Sequence, residues 1–420
     1  MNQNRNFKKF MLLWTGELLS AIGGGLTSFG VGVYVFQQTG SAAAMALVTL
    51  TSFLPSLLLS APAGILADRY DRRLLMMIGD GCSALGLIYI LVCMFLGDVA
   101  LWQILVGMAV SSIFSSLLEP SYKATITDLL SPEEYAKASG LVGLAGSSKY
   151  LLSPVLAGFL LAIADVKLLL ILDILTFFVT VTATWVVRKG LPSKKTEASI
   201  PVLQSFREGM HAISDRKGIL LLVLLSSGVC LFMGFIQTLA EPMILSFGTT
   251  TTLGIGETIC ASGMLVSSLV LGIRGIKKGY VRILCLSLFA AGIGMIGFGW
   301  KENMVVICIF GFLFFAMLPF ANTSLDYLVR TNIPDEVQGR AWGLIGVVSQ
   351  LGYVVAYALA GVLADGIGKA MQTGVGRGCG VVIMAAGMML AVIAILIYRV
   401  KAVRELEQTE CPEKVCMEKV

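Results

Sequence analysis

Gly64-Ile65-Leu66-Ala67-Asp68-Arg69-Tyr70-Asp71-Arg72-Arg73 decides the fold, because its charges stand between two long apolar segments. Residues 42–67 contain no charged side chain, and residues 74–97 contain only Asp80. An α-helix needs about 20 predominantly apolar residues to cross the hydrocarbon core of a bilayer. The stretch therefore predicts a short polar loop between two membrane-spanning helices.

The whole chain has a membrane-protein composition. Of its 420 residues, 56% are hydrophobic and 14% are charged, whereas soluble domains carry about 25% charged residues. Mean hydropathy is +0.85. We predict an all-α integral membrane protein with twelve transmembrane helices. The predicted spans are 11–37, 42–67, 74–97, 100–127, 136–164, 166–188, 218–246, 251–273, 279–300, 303–330, 337–364 and 377–400.

The basic residues orient these spans. If the N-terminus is cytoplasmic, most Lys and Arg fall in inner loops, as cytoplasmic loops favour. The outer loops then hold only Lys167, Lys301, Lys369 and Arg377. The pattern predicts a bacterial cytoplasmic membrane protein with both termini in the cytoplasm. The net charge of +5 lies in loops between spans, so it does not indicate a nucleic-acid partner.

The two halves of the chain resemble each other. Gly140-Leu141-Val142-Gly143 and Gly343-Leu344-Ile345-Gly346 are 203 positions apart, and the same offset carries Ala157-Gly158 onto Ala360-Gly361. Repeats of this kind are typical of transporters. We predict two pseudo-symmetric six-helix bundles. The predicted domains are an N-terminal bundle (1–189), a cytoplasmic linker (190–217) with an interfacial amphipathic helix near 203–213, a C-terminal bundle (218–401) and a cytoplasmic tail (402–420).

The loop at 64–73 resembles the signature G-x-L-A-D-R-x-G-R-R of the major facilitator superfamily, in the drug and macrolide efflux branch. It has Asp71 where that family usually has Gly. The resemblance implies a twelve-helix transporter fold in which the loop latches the conformation. Gly64 is expected to allow close helix contact, and Asp68 to accept hydrogen bonds from a helix N-terminus. The loop arginines would bind anionic headgroups or acidic partners; they are Arg69, Arg72 and Arg73. A basic loop that only sets topology is the alternative.

Spans four and five also bear on the resemblance to this family. Ser153-Pro154-Val155-Leu156-Ala157-Gly158 in span five resembles a degenerate antiporter motif of drug exporters, with Pro154 and Gly158 retained. A helix kink that serves only packing remains the alternative. In span four, Gln103 occupies the region where many proton-coupled members carry an Arg, which argues against an Arg-centred proton relay.

Charged residues inside spans are costly and mark functional positions. In the family fold, spans one, four, seven and ten line the central cavity. Here they carry one acid each: Glu17, Glu119, Glu241 and Asp326. A carboxyl group in a partly dry cavity can load and release a proton near neutral pH. These four acids and Lys149 are the predicted proton-coupling or substrate-binding residues. Lys149 is expected to neutralise an acid of the first half, with Glu119 and Glu17 as the candidates.

Structural roles compete with these assignments. Asp80 lies close enough to the arginines of the loop to pair with them. Glu119 and Glu241 each precede a proline, so Glu119 could instead cap a kink and Glu241 could lie exposed near the outer end. Aromatic and Met side chains offer an apolar pocket or ordinary helix packing and lipid contact; they are Trp14, Phe29, Tyr34, Phe232, Met233, Phe235, Phe315, Tyr353 and Tyr357.

The predicted function is secondary active transport: proton-coupled efflux of amphiphilic drugs such as macrolides, by alternating access. The alternatives are a siderophore exporter, a lysophospholipid carrier or a non-transporting receptor. The sequence has no P-loop and no nucleophile-base pattern, so we expect no enzyme. His211 has no metal-ligand pattern around it, and we expect no metal or cofactor. The expected partners are an amphiphilic small molecule, protons and the bilayer, with the chain acting as a monomer.

Overall fold

The computed structural model describes residues 2–131, 134–188, 217–333 and 335–408. They form fifteen α-helices. The first eight are α1 (Asn2–Thr39), α2 (Ala42–Arg69), α3 (Arg72–Leu96), α4 (Leu101–Ser115), α5 (Leu118–Leu129), α6 (Tyr135–Leu151), α7 (Ser153–Ile163) and α8 (Val166–Arg188). The others are α9 (Lys217–Leu245), α10 (Thr250–Arg274), α11 (Tyr280–Trp300), α12 (Met304–Asn332), α13 (Asp335–Ala370), α14 (Val375–Arg399) and α15 (Lys401–Gln408).

Twelve helical segments are long and apolar enough to cross a membrane, which confirms the predicted number of spans. The fourth and fifth spans are each built from two helices. α4 gives way to α5 just before Glu119-Pro120, and α6 gives way to α7 just before Pro154. Proline lacks a backbone N–H and fits the first turn of a helix better than its interior. The two prolines thus explain where these spans break.

The chain divides into two compact units. The first comprises Met1–Ser199 and Gly248–Thr258, and the second comprises Ile200–Phe247 and Ile259–Val420. In the first unit, α8 packs against both α1 and α3, and α3 also packs against α4 and α5. An apolar cluster that includes Val31, Ile90 and Leu170 fills one part of this bundle.

In the second unit, α11 packs between α12 and α14. Gly292 on α11 faces the Gly387 carbonyl on α14, and Gly387 faces the Gly292 carbonyl in return. A side chain at either position would collide with backbone. Small residues at such crossings let membrane helices pack closely by van der Waals contact. Close packing of α11 on α14 therefore explains why glycine occurs at these two positions within spans.

The beginning of the predicted tail is a helix. α15 places Val403 and Leu406 in buried positions against the second unit. Asn332 at the end of α12 donates a hydrogen bond to the Leu406 carbonyl at 3.0 Å. The amphipathic helix predicted near 203–213, His211 and the end of the tail lie outside the described residues.

Candidate functional site

The loop between α2 and α3 is fixed by Asp71. One carboxylate oxygen of Asp71 accepts a hydrogen bond from the backbone N–H of Arg73 at 3.1 Å and so caps α3. The other accepts from Nε of Arg188, at the end of α8, at 2.8 Å. The sequence predicts that Asp68 accepts hydrogen bonds from a helix N-terminus, and that role stays a prediction because the N-cap of α3 is Asp71. Asp68 lies in the last turn of α2 and instead sits 3.8 Å from Arg72.

Arg72 and Arg73 point into the bundle rather than toward headgroups. Arg72 Nη1 donates to Asp128 at 2.9 Å and to the Ala124 carbonyl at 3.1 Å, both on α5. Arg72 Nε donates to the Ala67 carbonyl at 3.2 Å. Arg73 is buried, and its guanidinium lies 4.0 Å from the other oxygen of Asp128. Of the two predicted kinds of partner, the structure therefore provides the acidic one, and it ties α2, α3 and α5 together.

The remaining loop residues are less constrained. Arg69 is exposed, so it is the loop arginine placed to meet headgroups or solvent. The close helix contact expected at Gly64 does not occur within the described part of the chain, where a Cβ at that position would meet no atom within 4 Å. Sequence reasoning missed Asp128 and Arg188. Both lie at the ends of spans, and only their positions there could have suggested them.

Pro154 and Gly158 are buried at a close helix crossing. Within the first unit, α7 packs against the first turns of α10, and the Gly158 carbonyl accepts a hydrogen bond from the Thr251 hydroxyl at 3.3 Å. Thr258 donates to the Leu151 carbonyl, at the break between α6 and α7, at 2.8 Å. The Ser153 hydroxyl donates to the Ile22 carbonyl of α1 at 3.0 Å. These contacts are the packing that the kink allows.

Glu17 and Glu119 differ in exposure. Glu17 on α1 is half-buried, and it interacts electrostatically with Glu119. The Glu119 side chain is 76% exposed and accepts a hydrogen bond from Lys123, one turn along α5, at 2.6 Å. Lys149 is exposed and lies over the Tyr150 ring at 5.9 Å. Glu119 is thus bonded to Lys123, and the acid of the first half on which Lys149 acts is Asp173 on α8.

In the second unit, Asp326 on α12 is exposed and lies one turn before Arg330. Glu241 is half-buried on α9 beside Pro242. The guanidinium of Arg330 lies over the ring of Trp342 on α13, at 5.5 Å. The two acids lie on different helices of this unit, and nothing in the described contacts brings them together.

Most of the aromatic side chains considered for an apolar pocket serve packing. Phe29 and Phe232 are buried, and Trp14 donates to the Leu141 carbonyl at 2.6 Å. Tyr357 donates to Gln237 at 3.0 Å. Gln103 also has a structural role, because its Oε1 accepts from the Ala100 backbone N–H at 2.9 Å and caps α4. Among the described residues, no three His, Cys, Asp or Glu side chains are grouped as metal ligands.

Known proteins resemble this chain over most of its length. A macrolide efflux protein A from Streptococcus pyogenes is 26% identical over 379 residues, which are 88% of this chain and 92% of that protein. A staphyloferrin A transporter from Staphylococcus aureus is 23% identical over 79% of this chain and 84% of its own length. A crystal structure of a bacterial homologue of the lysosomal transporter Spinster superposes with a TM-score of 0.74 at 14% identity, covering 96% of this chain and 98% of that one.

Residues 13–250 match the family model of the Major Facilitator Superfamily. That range covers more than half of the chain and contains the signature loop, the two broken spans and Glu17. It makes the protein a multi-pass membrane transporter rather than an enzyme, with relatives of the efflux type. The chain belongs to the major facilitator superfamily.

Proposed function

We propose that this transporter exports amphiphilic compounds of the macrolide type from the bacterial cytoplasm, in exchange for protons and by alternating access. The similarity to macrolide efflux protein A over 88% of the chain carries this proposal. In it, the chain works as a monomer in the cytoplasmic membrane with both termini inside. The excess of Lys and Arg in the inner loops supports that orientation.

Proton coupling is supported by the position of Glu17. An ionised side chain within a span is costly unless it faces water or a partner. Glu17 interacts electrostatically with a second carboxyl group, Glu119. A proton on Glu17 removes the repulsion between the two carboxylates. Glu17 is thus the group proposed to exchange a proton during transport, with Glu119 and Lys123 as its exposed neighbours.

A siderophore is the second candidate substrate, because one relative is a staphyloferrin A transporter. Siderophores are polar and rich in anionic oxygen donors, whereas macrolides are largely apolar and carry an amine. A macrolide site therefore favours an acidic side chain, whereas a siderophore site favours a basic one. A half-buried acid on α1 suits a cationic amphiphile better than an anionic chelator.

Transport assays test the proposal. The full chain is expressed in a bacterial host that lacks its own exporters, and cellular accumulation of a radiolabelled macrolide is measured with and without a protonophore. We expect lower accumulation than in an empty-vector host, and we expect the protonophore to abolish the difference. The macrolide proposal fails if accumulation of macrolides and cationic dyes is unchanged. If the cells then export a ferric or metal-free siderophore, the protein is a siderophore exporter.

A further inference from the structure

Asp80 on α3 has no role in the arrangement described so far. Its side chain is 1% exposed, and neither carboxylate oxygen has a hydrogen-bond partner among the described residues. The arginines expected to pair with it, Arg72 and Arg73, are directed to Asp128 instead. Asp80 is therefore a buried acid in the interior of the first unit, separate from the signature-loop network.

The groups around Asp80 increase the cost of its charge. α8, which packs against α3, brings Asp173, and α1, which packs against α8, brings Glu17. Both acids interact electrostatically with Asp80. α5 brings Tyr122, which is 4% exposed and interacts electrostatically with Glu17. Like the Asp80 carboxylate, the Tyr122 hydroxyl has no hydrogen-bond partner among the described residues.

The remaining neighbours supply no counter-charge. α4 contains no titratable residue, and the charged residues of α2 are confined to its last turn. The Ser83 hydroxyl on α3 is already shared with Ser111 and Ser115 on α4. Of the nearby bases, Lys123 is bonded to Glu119 and Lys149 acts on Asp173.

An unpartnered carboxylate in a protein interior is so unfavourable that the group takes up a proton instead. Here three carboxyl groups, of Glu17, Asp80 and Asp173, and the Tyr122 hydroxyl come together from four helices without a saturating set of hydrogen bonds. We propose that Asp80 is a proton-binding site inside the first bundle, filled from Glu17, with the Tyr122 hydroxyl between the two helices that carry them. The inference rests on the proposed proton coupling and deepens it.

The transfer involves only O–H bonds. A proton leaves the carboxylic acid of Glu17 and joins a carboxylate oxygen of Asp80, so negative charge moves from Asp80 to Glu17. Glu17 is half-buried and Asp80 is inaccessible. Glu17 is therefore the exchanging group, and Asp80 holds the proton away from water.

Infrared spectroscopy tests this site without a substrate. The full chain is purified and placed in lipid nanodiscs, and its difference spectrum is recorded between mildly acidic and mildly alkaline pH. We expect a carbonyl-stretch band of a protonated carboxylic acid that titrates and shifts slowly in D2O. Asp80→Asn should remove one such band, whereas Asp98→Asn, at an exposed loop position, should leave every band in place.

Several outcomes would overturn the proposal. The Asp80→Asn spectrum could match the wild-type spectrum, or the Asp80 band could persist unchanged over the whole pH range and so show no exchange. A titration that moves when Na⁺ replaces choline would assign the site to a metal cation. Should Asp80→Asn not fold, Glu17→Gln serves instead: it must shift the titration of the remaining buried carboxyl band, and an unshifted band refutes the coupling.

The result is separable from the proposed export. A protein that passes the spectroscopic test and moves no macrolide retains a proton site with another substrate. If macrolide export is sensitive to the protonophore but the Asp80 band is absent, the export proposal holds and the coupling proton binds at a residue other than Asp80.

Discussion

The carboxylate of Glu407 accepts a hydrogen bond from the backbone N–H of Tyr280 at 2.8 Å, so the C-terminal helix caps the first turn of α11. Its other oxygen accepts from Val281 at 3.3 Å. In the first unit Asp71 performs the same task for α3 from within the loop. The corresponding loop before α11, Arg274–Gly279, contains no acid. The second unit thus receives its capping carboxylate from α15.

Glu407→Ala should destabilise the second unit. The change leaves two backbone N–H groups of α11 without their acceptor and removes a negative charge from a helix N-terminus, which costs about 1–2 kcal/mol. We expect a lower unfolding temperature for the detergent-solubilised protein, measured by tryptophan fluorescence. Glu302→Ala, at an exposed position between α11 and α12, is the control. Equal unfolding temperatures for both variants would mean that the cap contributes nothing.

Asp71 and Arg188 should be energetically coupled. Asp71→Ala removes the N-cap of α3 and the partner of Arg188, and Arg188→Gln removes only the ion pair. The Arg188 side chain is 39% exposed, so a coupling of about 0.5–1 kcal/mol is expected in a double-mutant cycle. The cycle is measured from the unfolding temperatures of the two single variants and the double variant. Additive effects would show that the 2.8 Å contact is not formed in the membrane.

The sequence predicted the fold well because hydrophobic length and loop charge are one-dimensional signals. The twelve spans follow from long apolar stretches such as 42–67, and isolated charges inside spans, such as Glu17 and Asp80, are too few to hide the pattern. Partners across helices were harder. Asp128, 56 positions from Arg72, and Glu407, 127 positions from Tyr280, are brought into contact only by packing.

The candidate site shows the same limit. Sequence position placed Glu17 and Asp80 within spans, but it assigned Asp80 to the arginines that Asp128 occupies. It named Glu119 and Glu17 as candidate partners for Lys149, whereas Glu119 is reached at 2.6 Å by Lys123, one helical turn away, and Lys149 acts on Asp173. The rotation of each helix about its axis decides which of two acids an arginine contacts. A helix that is apolar on all faces gives no sequence signal for that rotation.

Asp128→Asn should destabilise the signature-loop network, because Asp128 is the acid that both Arg72 and Arg73 approach. Arg72 would keep only its carbonyl and Asp68 contacts, and Arg73 is 4% exposed. Removing one partner from a buried ion pair costs about 3–5 kcal/mol. We expect a large fall in unfolding temperature and loss of macrolide export. Asp68→Asn, which removes only a 3.8 Å contact at a half-exposed side chain, is the matched control and should unfold near the wild-type temperature. A reversed order of the two variants would contradict the network.

Glu17→Gln and Asp326→Asn should separate coupling from binding. Gln keeps the shape of Glu but cannot exchange a proton, so Glu17→Gln is expected to lose the protonophore-sensitive part of macrolide export. Asp326 is exposed and has Arg330 one turn away, so Asp326→Asn should weaken export while its remainder still responds to the protonophore. The measurement is macrolide accumulation in cells with matched expression of each variant, and Asp98→Asn is the control for loss of a surface charge. Wild-type export by both variants would remove these carboxylates from the transport cycle, whereas loss of coupling in Asp326→Asn alone would move the proton site to the second unit.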